Sequence, residues 1–207
     1  MALSVLALAT LALLVTGSCG GLARATRDTK LAGTTLNGTP AAEFALVDHQ
    51  GATVRLSDFR GKPVVLTFLY TSCPDTCPIV TAKFAEVHEM MGKDAPRVAL
   101  LAITVDPERD VAERVRAFLA DRDLEGKMLV LSGERAKLEE VWKAYYIGVV
   151  RQPIKPGSSE SRRYGAYAIN HSDAVYVIDK EGRLRAFMRS TLAVEDLEAN
   201  LRALLEE

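Results

Sequence analysis

Two runs of apolar residues mark the centre of the predicted fold. Residues 63–70 (PVVLTFLY) and residues 97–105 (RVALLAITV) are short, almost uninterrupted and rich in β-branched side chains. A strand that is buried on both faces has this pattern, whereas a half-buried strand alternates apolar with polar residues. Both runs are therefore predicted to be central parallel strands of a sheet that is covered on both sides.

Apolar residues with helical spacing follow these runs. Four of them fall at positions i, i+4, i+7 and i+11 after the first run, along one face of a predicted helix: Val80, Phe84, Val87 and Met91. Pro78 suits the first turn of that helix, where a missing N–H costs no hydrogen bond. Similar stripes predict three further helices, within residues 111–119, 138–145 and 197–204.

Short alternating segments predict the remaining strands. Residues 43–56 (EFALVDHQGATVRL) form a hairpin around DHQG, and residues 174–188 (AVYVIDKEGRLRAFM) form another around DKEG. Residues 128–131 are a further short strand. Residues 150–168 are polar and contain two prolines, so they are predicted to be an insertion before the last hairpin.

The order of these elements predicts the fold class. Strands alternate with helices and a hairpin and helix follow, which is typical of an α/β domain with three layers and a mixed sheet. The sequence CPDTC places Cys73 and Cys77 at the end of the first central strand, where a helix begins. This resembles the thioredoxin-like arrangement, with one more residue between the cysteines than in CxxC. We therefore predict one thioredoxin-like sandwich over residues 41–207.

The amino-terminal segment has a different character. Residues 2–15 (ALSVLALATLALLV) are apolar but fall short of the roughly 20 residues of a membrane-spanning helix, and they suit a secretory signal. Small residues and then Cys19 follow, as in bacterial lipoprotein signals, in which this cysteine becomes the lipidated first residue. An uncleaved anchor and an ordinary signal peptide are the alternatives.

These alternatives agree on location. Residues 1–18 are predicted to be the leader, and residues 19–40, polar and rich in glycine and threonine, a flexible tether. The domain then lies on the periplasmic side of a bacterial cytoplasmic membrane, and a lipid on Cys19 is the preferred means of holding it at that extracytoplasmic face.

The charge balance excludes one class of partner. The chain has 27 acidic and 26 basic residues and no long run of either sign. Nucleic-acid binding is therefore not expected. A domain of this size buries a core without the help of disulfides or metals, so its cysteines call for a chemical explanation.

Cys73 and Cys77 carry that chemistry if Cys19 is lipidated. Amide N–H groups and the helix dipole at a helix start stabilise thiolates, which exchange disulfides and bind soft metals. A purely structural disulfide between them would close a very short loop and constrain the unfolded chain little. Redox exchange and metal binding both remain open, and they compete, because an oxidised pair cannot bind a metal.

One of the three histidines is a candidate metal ligand. His49 lies in a predicted hairpin turn and His88 on a predicted helix, where it is solvated, and neither is interpreted as a ligand. His171 comes just before a strand, where thioredoxin-like oxidoreductases usually carry a proline packed against the cysteine pair. Two thiolates and an imidazole form a soft, low-coordinate set that suits Cu(I) and, after a small rearrangement, Cu(II). Structural zinc would normally recruit a fourth ligand.

Three aspartates near these positions have more ordinary interpretations. Asp75 could supply a fourth ligand, but capping the helix and holding the loop is the preferred role. Asp110 is placed to cap the helix that starts near Val111. For Asp106, a turn and an acidic rim beside the site both remain open.

Longer motifs carry a family resemblance. FALVDHQGATVRLSDFRGKPVVLTFLYTSCPDTCP, ITVDPERD and NHSDAVYVIDKEG resemble the Sco/SenC family of copper-binding assembly proteins, over about residues 43–205. The resemblance implies one copper ion, as Cu(I) or Cu(II), bound by Cys73, Cys77 and His171. It also implies a metallochaperone that helps assemble the binuclear copper centre of cytochrome c oxidase subunit II, with other copper chaperones or thiol reductants as further partners.

Two other functions are compatible with a reactive cysteine. A thiol–disulfide oxidoreductase that reduces partner cysteines through a Cys73–Cys77 disulfide is the main alternative. A peroxidase of the peroxiredoxin type is least supported, because Tyr70-Thr71-Ser72 precedes Cys73 in place of the expected proline and threonine. His171 discriminates between the first two functions, since copper needs it and disulfide exchange does not.

Overall fold

A computed structural model describes residues 30–207, apart from the side chain of Arg163. The strands are β1 (Thr34–Pro40), β2 (Ala45–Asp48), β3 (Thr53–Arg55), β4 (Val64–Leu69), β5 (Ala99–Thr104), β6 (Met128–Ser132), β7 (Val149–Pro153), β8 (Tyr167–His171), β9 (Val175–Ile178) and β10 (Arg183–Met188). The helices are α1 (Thr76–Met91), α2 (Ala112–Ala120), α3 (Arg135–Ala144), α4 (Ser159–Tyr164) and α5 (Val194–Glu206), with short 3-10 turns at Leu56–Phe59 and Gly92–Arg97.

Eight strands form one mixed sheet in the order β1-β10-β9-β4-β5-β6-β2-β3. The strands β4, β5 and β6 are parallel, because α1 and α2 carry the chain back between them. The remaining neighbours pair antiparallel. The predicted hairpins β2–β3 and β9–β10 are both present, and β7 and β8 form a separate two-stranded sheet.

The central strands are buried on both faces. Every residue of β4, β5 and β9 is buried, so layers of other elements must cover both sides of the sheet. On one side α1 packs against α5. Tyr145, which follows α3, packs against Phe68 and Tyr176 with ring centroids 5.8 and 5.4 Å apart. Burial of each large apolar side chain contributes about 1.5–3 kcal/mol, and this core fixes the strand ends that carry the site.

The domain begins earlier in the chain than predicted. Residues 34–40, assigned to the flexible tether, form β1 and pair with β10 at the edge of the sheet. Leu31 is buried, and the side-chain amide of Asn200 on α5 bonds both backbone groups of Ala32, at 2.8 and 3.1 Å. The prediction for residues 30–40 was wrong because their order comes from partners about 150 residues away in the chain, which a local pattern does not reveal.

The direction of β1 places the start of the described chain near one end of the sheet. β1 is antiparallel to β10, β10 to β9, and β9 to β4. Three reversals leave β1 antiparallel to β4. The residues before Thr34 therefore lie towards the end of the sheet at which β4 finishes.

The polar insertion is also ordered. Residues 150–168 were predicted as a polar insertion with no elements assigned to it, and they contribute to β7, α4 and the first residues of β8. β7 and β8 pair from Val149↔His171 to Pro153↔Tyr167, with α4 between them. β7 is exposed along almost its whole length and β8 buries only Ile169, so neither strand shows the apolar alternation by which strands are predicted.

The predicted leader, residues 1–18, and Cys19 lie outside the described residues. Within residues 30–207, no helix has the length and apolar character needed to span a membrane.

Candidate metal centre

Cys73 and Cys77 lie where the sequence predicted, between the end of β4 and the first turn of α1. Both are free thiols. Cys73 is half-buried in the loop, whereas Cys77 is 2% exposed and belongs to the helix. The Cys77 amide N–H donates a hydrogen bond to the Cys73 sulfur at 3.5 Å, as expected for a sulfur at a helix start.

The two thiols differ in their affinity for a proton. A hydrogen bond from the Cys77 thiol, joined by the amide N–H groups of Asp75 and Cys77, lowers the pKa of Cys73 to about 5. The pKa of Cys77 is raised well above its ordinary value by the same hydrogen bond to Cys73 and by burial. At neutral pH the reduced pair therefore carries one thiolate, on Cys73, and one proton, on Cys77.

His171 is the last residue of β8, and its ring reaches the dithiol. Its Nε2 lies 4.0 Å from the Cys77 sulfur. Its Nδ1 lies 3.0 Å from the carbonyl oxygen of Ser172, and because a carbonyl only accepts, Nδ1 carries the proton. Burial lowers the pKa of His171, so the ring is neutral at neutral pH with the Nε2 lone pair turned towards the sulfur. That is the tautomer of a metal-binding histidine.

Tyr70 connects the dithiol loop to β8. Its hydroxyl donates to the carbonyl oxygen of Ile169 at 3.0 Å. Its ring meets the His171 ring edge-on, with centroids 5.9 Å apart and an interplanar angle of 79°. Burial raises the pKa of Tyr70, so the hydroxyl stays protonated and remains a donor. Nothing in the sequence around Tyr70 predicted this role in the site.

A buried carboxylate holds the loop before α1. Asp110 accepts hydrogen bonds from the Thr71 amide at 3.0 Å, the Thr71 hydroxyl at 2.6 Å and the Thr104 hydroxyl at 2.5 Å. The predicted capping role of Asp110 was wrong. Val111 occupies the cap position of α2, and these three donors engage the Asp110 carboxylate instead.

The other candidate residues lie outside the donor set. Asp75 stands at the cap position of α1 but is exposed and makes no side-chain cap hydrogen bond. His49 is buried beside β6 and His88 is half-buried on α1. Asp106 is completely buried and accepts a hydrogen bond from the Tyr167 hydroxyl at 2.7 Å, so it forms no exposed acidic rim.

Cys73 and His171 line a cavity of about 620 Å³, whose walls also include Tyr70, Arg109 and Tyr167, whereas Cys77 lies behind them in the core. Neither Arg109 nor Tyr167 was predicted to belong to the site. The one feature that could have indicated Arg109 is its position just after a central strand, in the stretch VDPERD.

The donor set suits a soft metal, although it is not drawn tightly together. Within residues 30–207, no group of three His, Cys, Asp or Glu side chains is gathered closely enough to hold an ion. The Cys77–His171 separation of 4.0 Å still approaches the about 3.5–3.8 Å expected for sulfur and nitrogen sharing one ion, from bond lengths of about 2.3 and 2.1 Å. One thiolate, a second thiol and a neutral imidazole fit copper better than a hard cation.

Fold and site together define a thioredoxin-like domain with a dithiol at a strand–helix junction and a histidine facing it. The family model described as SCO1/SenC matches residues 33–206. The chain belongs to the SCO1/SenC family, which confirms the resemblance found in the sequence.

Curated relatives agree with this assignment. The mitochondrial SCO2 homolog of Bos taurus is 28% identical over 162 residues, covering 77% of this chain and 58% of its own length. The SCO2-like protein of Rickettsia prowazekii is 28% identical over 140 residues, covering 68% and 64%. The chain thus matches less than two thirds of the length of these relatives.

Solved structures share the fold. The structure of Bradyrhizobium japonicum ScoI with copper bound is 31% identical, with a TM-score of 0.70 over 81% of this chain and 100% of that one. Apo Sco1 from Thermus thermophilus is 30% identical, with a TM-score of 0.67 over 84% and 95%. These matches confirm the predicted thioredoxin-like fold with a mixed sheet.

Proposed function

We propose that this protein is a copper-binding metallochaperone that binds one copper ion through Cys73, Cys77 and His171. One observation carries the proposal: the unprotonated Nε2 of a neutral histidine, from a distant strand, faces a dithiol across 4.0 Å. A disulfide reductase has no need of an imidazole in that position. The copper-bound ScoI structure from Bradyrhizobium japonicum, in the same family, supports the choice of metal.

The protonation of the site suits a cargo ion. Cys73 is already a thiolate at neutral pH, so copper binding releases only the proton of Cys77. Cys73 and His171 line the cavity, so a second set of thiolates that entered it could take the ion by ligand exchange. A resident structural metal would be enclosed by four ligands instead.

The recipient in this proposal is the binuclear copper centre of cytochrome c oxidase subunit II, and the family resemblance is its support. The anchor belongs to the same proposal. Lipidation of Cys19 would hold the domain at the extracytoplasmic face of the membrane, next to a membrane-bound oxidase. Mass spectrometry of the mature protein tests the anchor, because an unmodified Cys19 or an intact Met1 contradicts it.

Copper titration tests the proposal directly. The reduced protein is expected to bind one equivalent, and the protein with a Cys73–Cys77 disulfide essentially none, because both sulfurs are consumed. Cys73→Ser and Cys77→Ser are expected to abolish tight binding. His88→Ala, which removes a histidine outside the site, is the matched control and should bind as the wild type does. Equal copper retention by the reduced and oxidised forms would place the metal elsewhere.

A thiol–disulfide oxidoreductase is the second candidate function. The observation in its favour is the asymmetry of the pair, with an accessible thiolate on Cys73 and a buried thiol on Cys77. This is the arrangement of an attacking and a resolving cysteine. Copper binding and exchange could also coexist, because the cysteines of a recipient site must be reduced before they accept the ion.

His171→Ala separates the two functions. Two thiolates can still hold Cu(I) in a nearly linear site, so Cu(I) binding should weaken but persist, whereas Cu(II) prefers more and harder donors and should be lost to a greater extent. Disulfide formation should continue, since His171 supplies no sulfur. Cu(II) absorption, competition for Cu(I) with a chelator and the thiol–disulfide potential measure the three effects. Wild-type affinity for both copper states would remove His171 from the ligand set and favour the reductase.

A further inference from the structure

An arginine attaches the far end of the hairpin that ends in His171 to the body of the domain. Arg109 follows β5, and one of its terminal nitrogens donates to the carbonyl oxygens of Tyr164 and Tyr167 at 2.9 and 3.0 Å. Those carbonyls lie at the end of α4 and the start of β8. One planar guanidinium therefore holds both sides of the turn that leads into the histidine strand.

Tyr167 is the aromatic partner of this contact. The Arg109 guanidinium lies over its ring at 3.9 Å from the centroid, and the guanidinium of Arg151 lies over the same ring at 3.4 Å. Arg151 is on β7, within the hairpin, whereas Arg109 is on the body of the domain. The Arg109 contact thus joins two parts of the molecule, and the Arg151 contact does not.

Asp106 completes a closed set of contacts. Its carboxylate is fully buried, forms an ion pair with Arg109 and accepts a hydrogen bond from the Tyr167 hydroxyl at 2.7 Å. A buried carboxylate needs such partners, because an uncompensated charge in this environment is strongly destabilising. The other terminal nitrogen of Arg109 is buried without a hydrogen-bond partner within the described residues. The side chain is therefore placed for the ring and the two carbonyls rather than for full hydrogen bonding of its own nitrogens.

The geometry of β8 links this contact to the metal ligand. Tyr167, Ile169 and His171 are alternate residues, so their side chains lie on one face of the strand, which spans about 13 Å from first to last. The base of the hairpin leads directly into β9, whose Val175 pairs with Thr67 of β4, and the Ser172 amide closes the base by donating to the Gly148 carbonyl at 3.0 Å. Arg109 holds the opposite end. A strand fixed at both ends cannot turn its inward face away from the dithiol.

We propose that Arg109 is a positioning residue for the copper site, acting through Tyr167 and β8 to hold His171 opposite Cys77. The copper part of this inference rests on the proposed function. Without the Arg109 contact the far end of the hairpin keeps only the hydrogen bond from the Tyr167 hydroxyl to Asp106, and His171 samples orientations that face away from the sulfurs.

Arg109→Lys is the main test, because it keeps the charge beside Asp106 and removes the planar fork and the stacking. Arg109→Ala is a second, harsher variant that leaves Asp106 buried without its cation. Arg122→Ala is the matched control: Arg122 also donates to a carbonyl, that of Phe118 at 2.9 Å, and also covers an aromatic ring, at 3.8 Å, but it makes these contacts within and just beyond α2.

We expect Arg109→Lys to weaken Cu(II) binding about 10- to 100-fold, the usual effect of removing support from a metal ligand. Cu(I) affinity should change much less, and the thiol–disulfide potential should not change. In the His171→Ala background, Arg109→Lys should have no further effect on Cu(II), since the residue through which it acts is absent. An equal loss in both backgrounds would overturn the proposal.

Hydrogen exchange of the metal-free protein gives a readout without copper. Amides of the hairpin, such as that of Ile154, which bonds the Ala166 carbonyl at 2.9 Å, should exchange faster in Arg109→Lys and Arg109→Ala, while those of β4 and β5 stay protected. Unchanged exchange in the hairpin, or faster exchange throughout the sheet, would contradict a positioning role. If the wild type binds no copper, the proposed function fails, and the exchange data still decide whether Arg109 holds the hairpin.

Discussion

At the scale of single residues, the two cysteines of the site differ in protonation and in burial. Cys73 and Cys77 are four residues apart, yet one is a half-buried thiolate and the other a buried thiol. The difference follows from position: Cys73 receives N–H groups from the start of α1, and Cys77 lies within the first turn, against the core. The sequence was enough to select these two cysteines as candidates. Which of them keeps its proton at neutral pH follows only from their contacts in the folded structure.

Alkylation of the reduced, metal-free protein should reveal this division. The rate at Cys73 should be half-maximal near pH 5, because the thiolate is the nucleophile and is present above its pKa of about 5. Cys77 should stay unreactive at neutral pH, since burial and the hydrogen bond to Cys73 raise its pKa. Iodoacetamide labelling followed by peptide mass spectrometry measures both sites. Preferential labelling of Cys77 would reverse the assignment.

Single residues also show where sequence patterns stop being informative. His171 was found because a histidine stands where related folds usually carry a proline. Asp110 and Arg109 were not assigned their roles, because the partners of both come from other elements and no periodicity marks them. Thr71 and Thr104, which donate to Asp110, are 39 and 6 residues away from it in the chain.

At the scale of elements, strands with a strong local apolar pattern were predictable from the sequence. A strand whose formation depends on pairing with a distant strand was not. β4 and β5 are apolar throughout and were assigned within one or two residues at each end. β1 is mostly exposed and contains Asn37 and Gly38, both with positive φ, where its register with β10 shifts. Its composition matches that of a linker, and only the free edge of β10 turns it into a strand.

The contribution of β1 can be measured by shortening the chain. A chain starting at Ala41 loses the pairing with β10, the buried Leu31 and the partner of the buried Asn200 amide. We expect its free energy of unfolding to fall by about 3 kcal/mol or more relative to a chain starting at Lys30, from lost apolar burial and an unsatisfied amide. Denaturant unfolding compares the two, and equal midpoints would show that β1 is dispensable.

At the scale of the whole molecule, copper binding and folding are coupled. The ligands come from the β4–α1 junction and from β8, which are separated by 94 residues between Cys77 and His171. The unfolded chain does not hold them together, so an ion that bridges them binds the folded state preferentially. The proposed site therefore predicts a change in global stability, and not only a local spectroscopic signal.

Addition and removal of copper should shift the thermal midpoint of the reduced protein. Free copper at about 100 times Kd should stabilise it by about 2.7 kcal/mol, which corresponds to a rise of about 5–10 °C for a domain of this size. A chelator should reverse the rise. The Cys77→Ser variant lacks one of the two proposed thiolate ligands, so copper should not raise its thermal midpoint. A similar rise in that variant would show that copper stabilises the fold from another position.

The direction of β1 determines which end of the domain lies next to an amino-terminal anchor. The residues before Thr34 lie towards the end of the sheet at which β4 delivers Cys73. If Cys19 carries the predicted lipid, the eleven residues up to Lys30 reach at most about 40 Å even when fully extended. The anchored chain would then join the domain at the end of the sheet that carries the dithiol, so that this end lies nearer to the anchor than the opposite end does. A recipient embedded in the same membrane would meet the dithiol without the domain having to turn over.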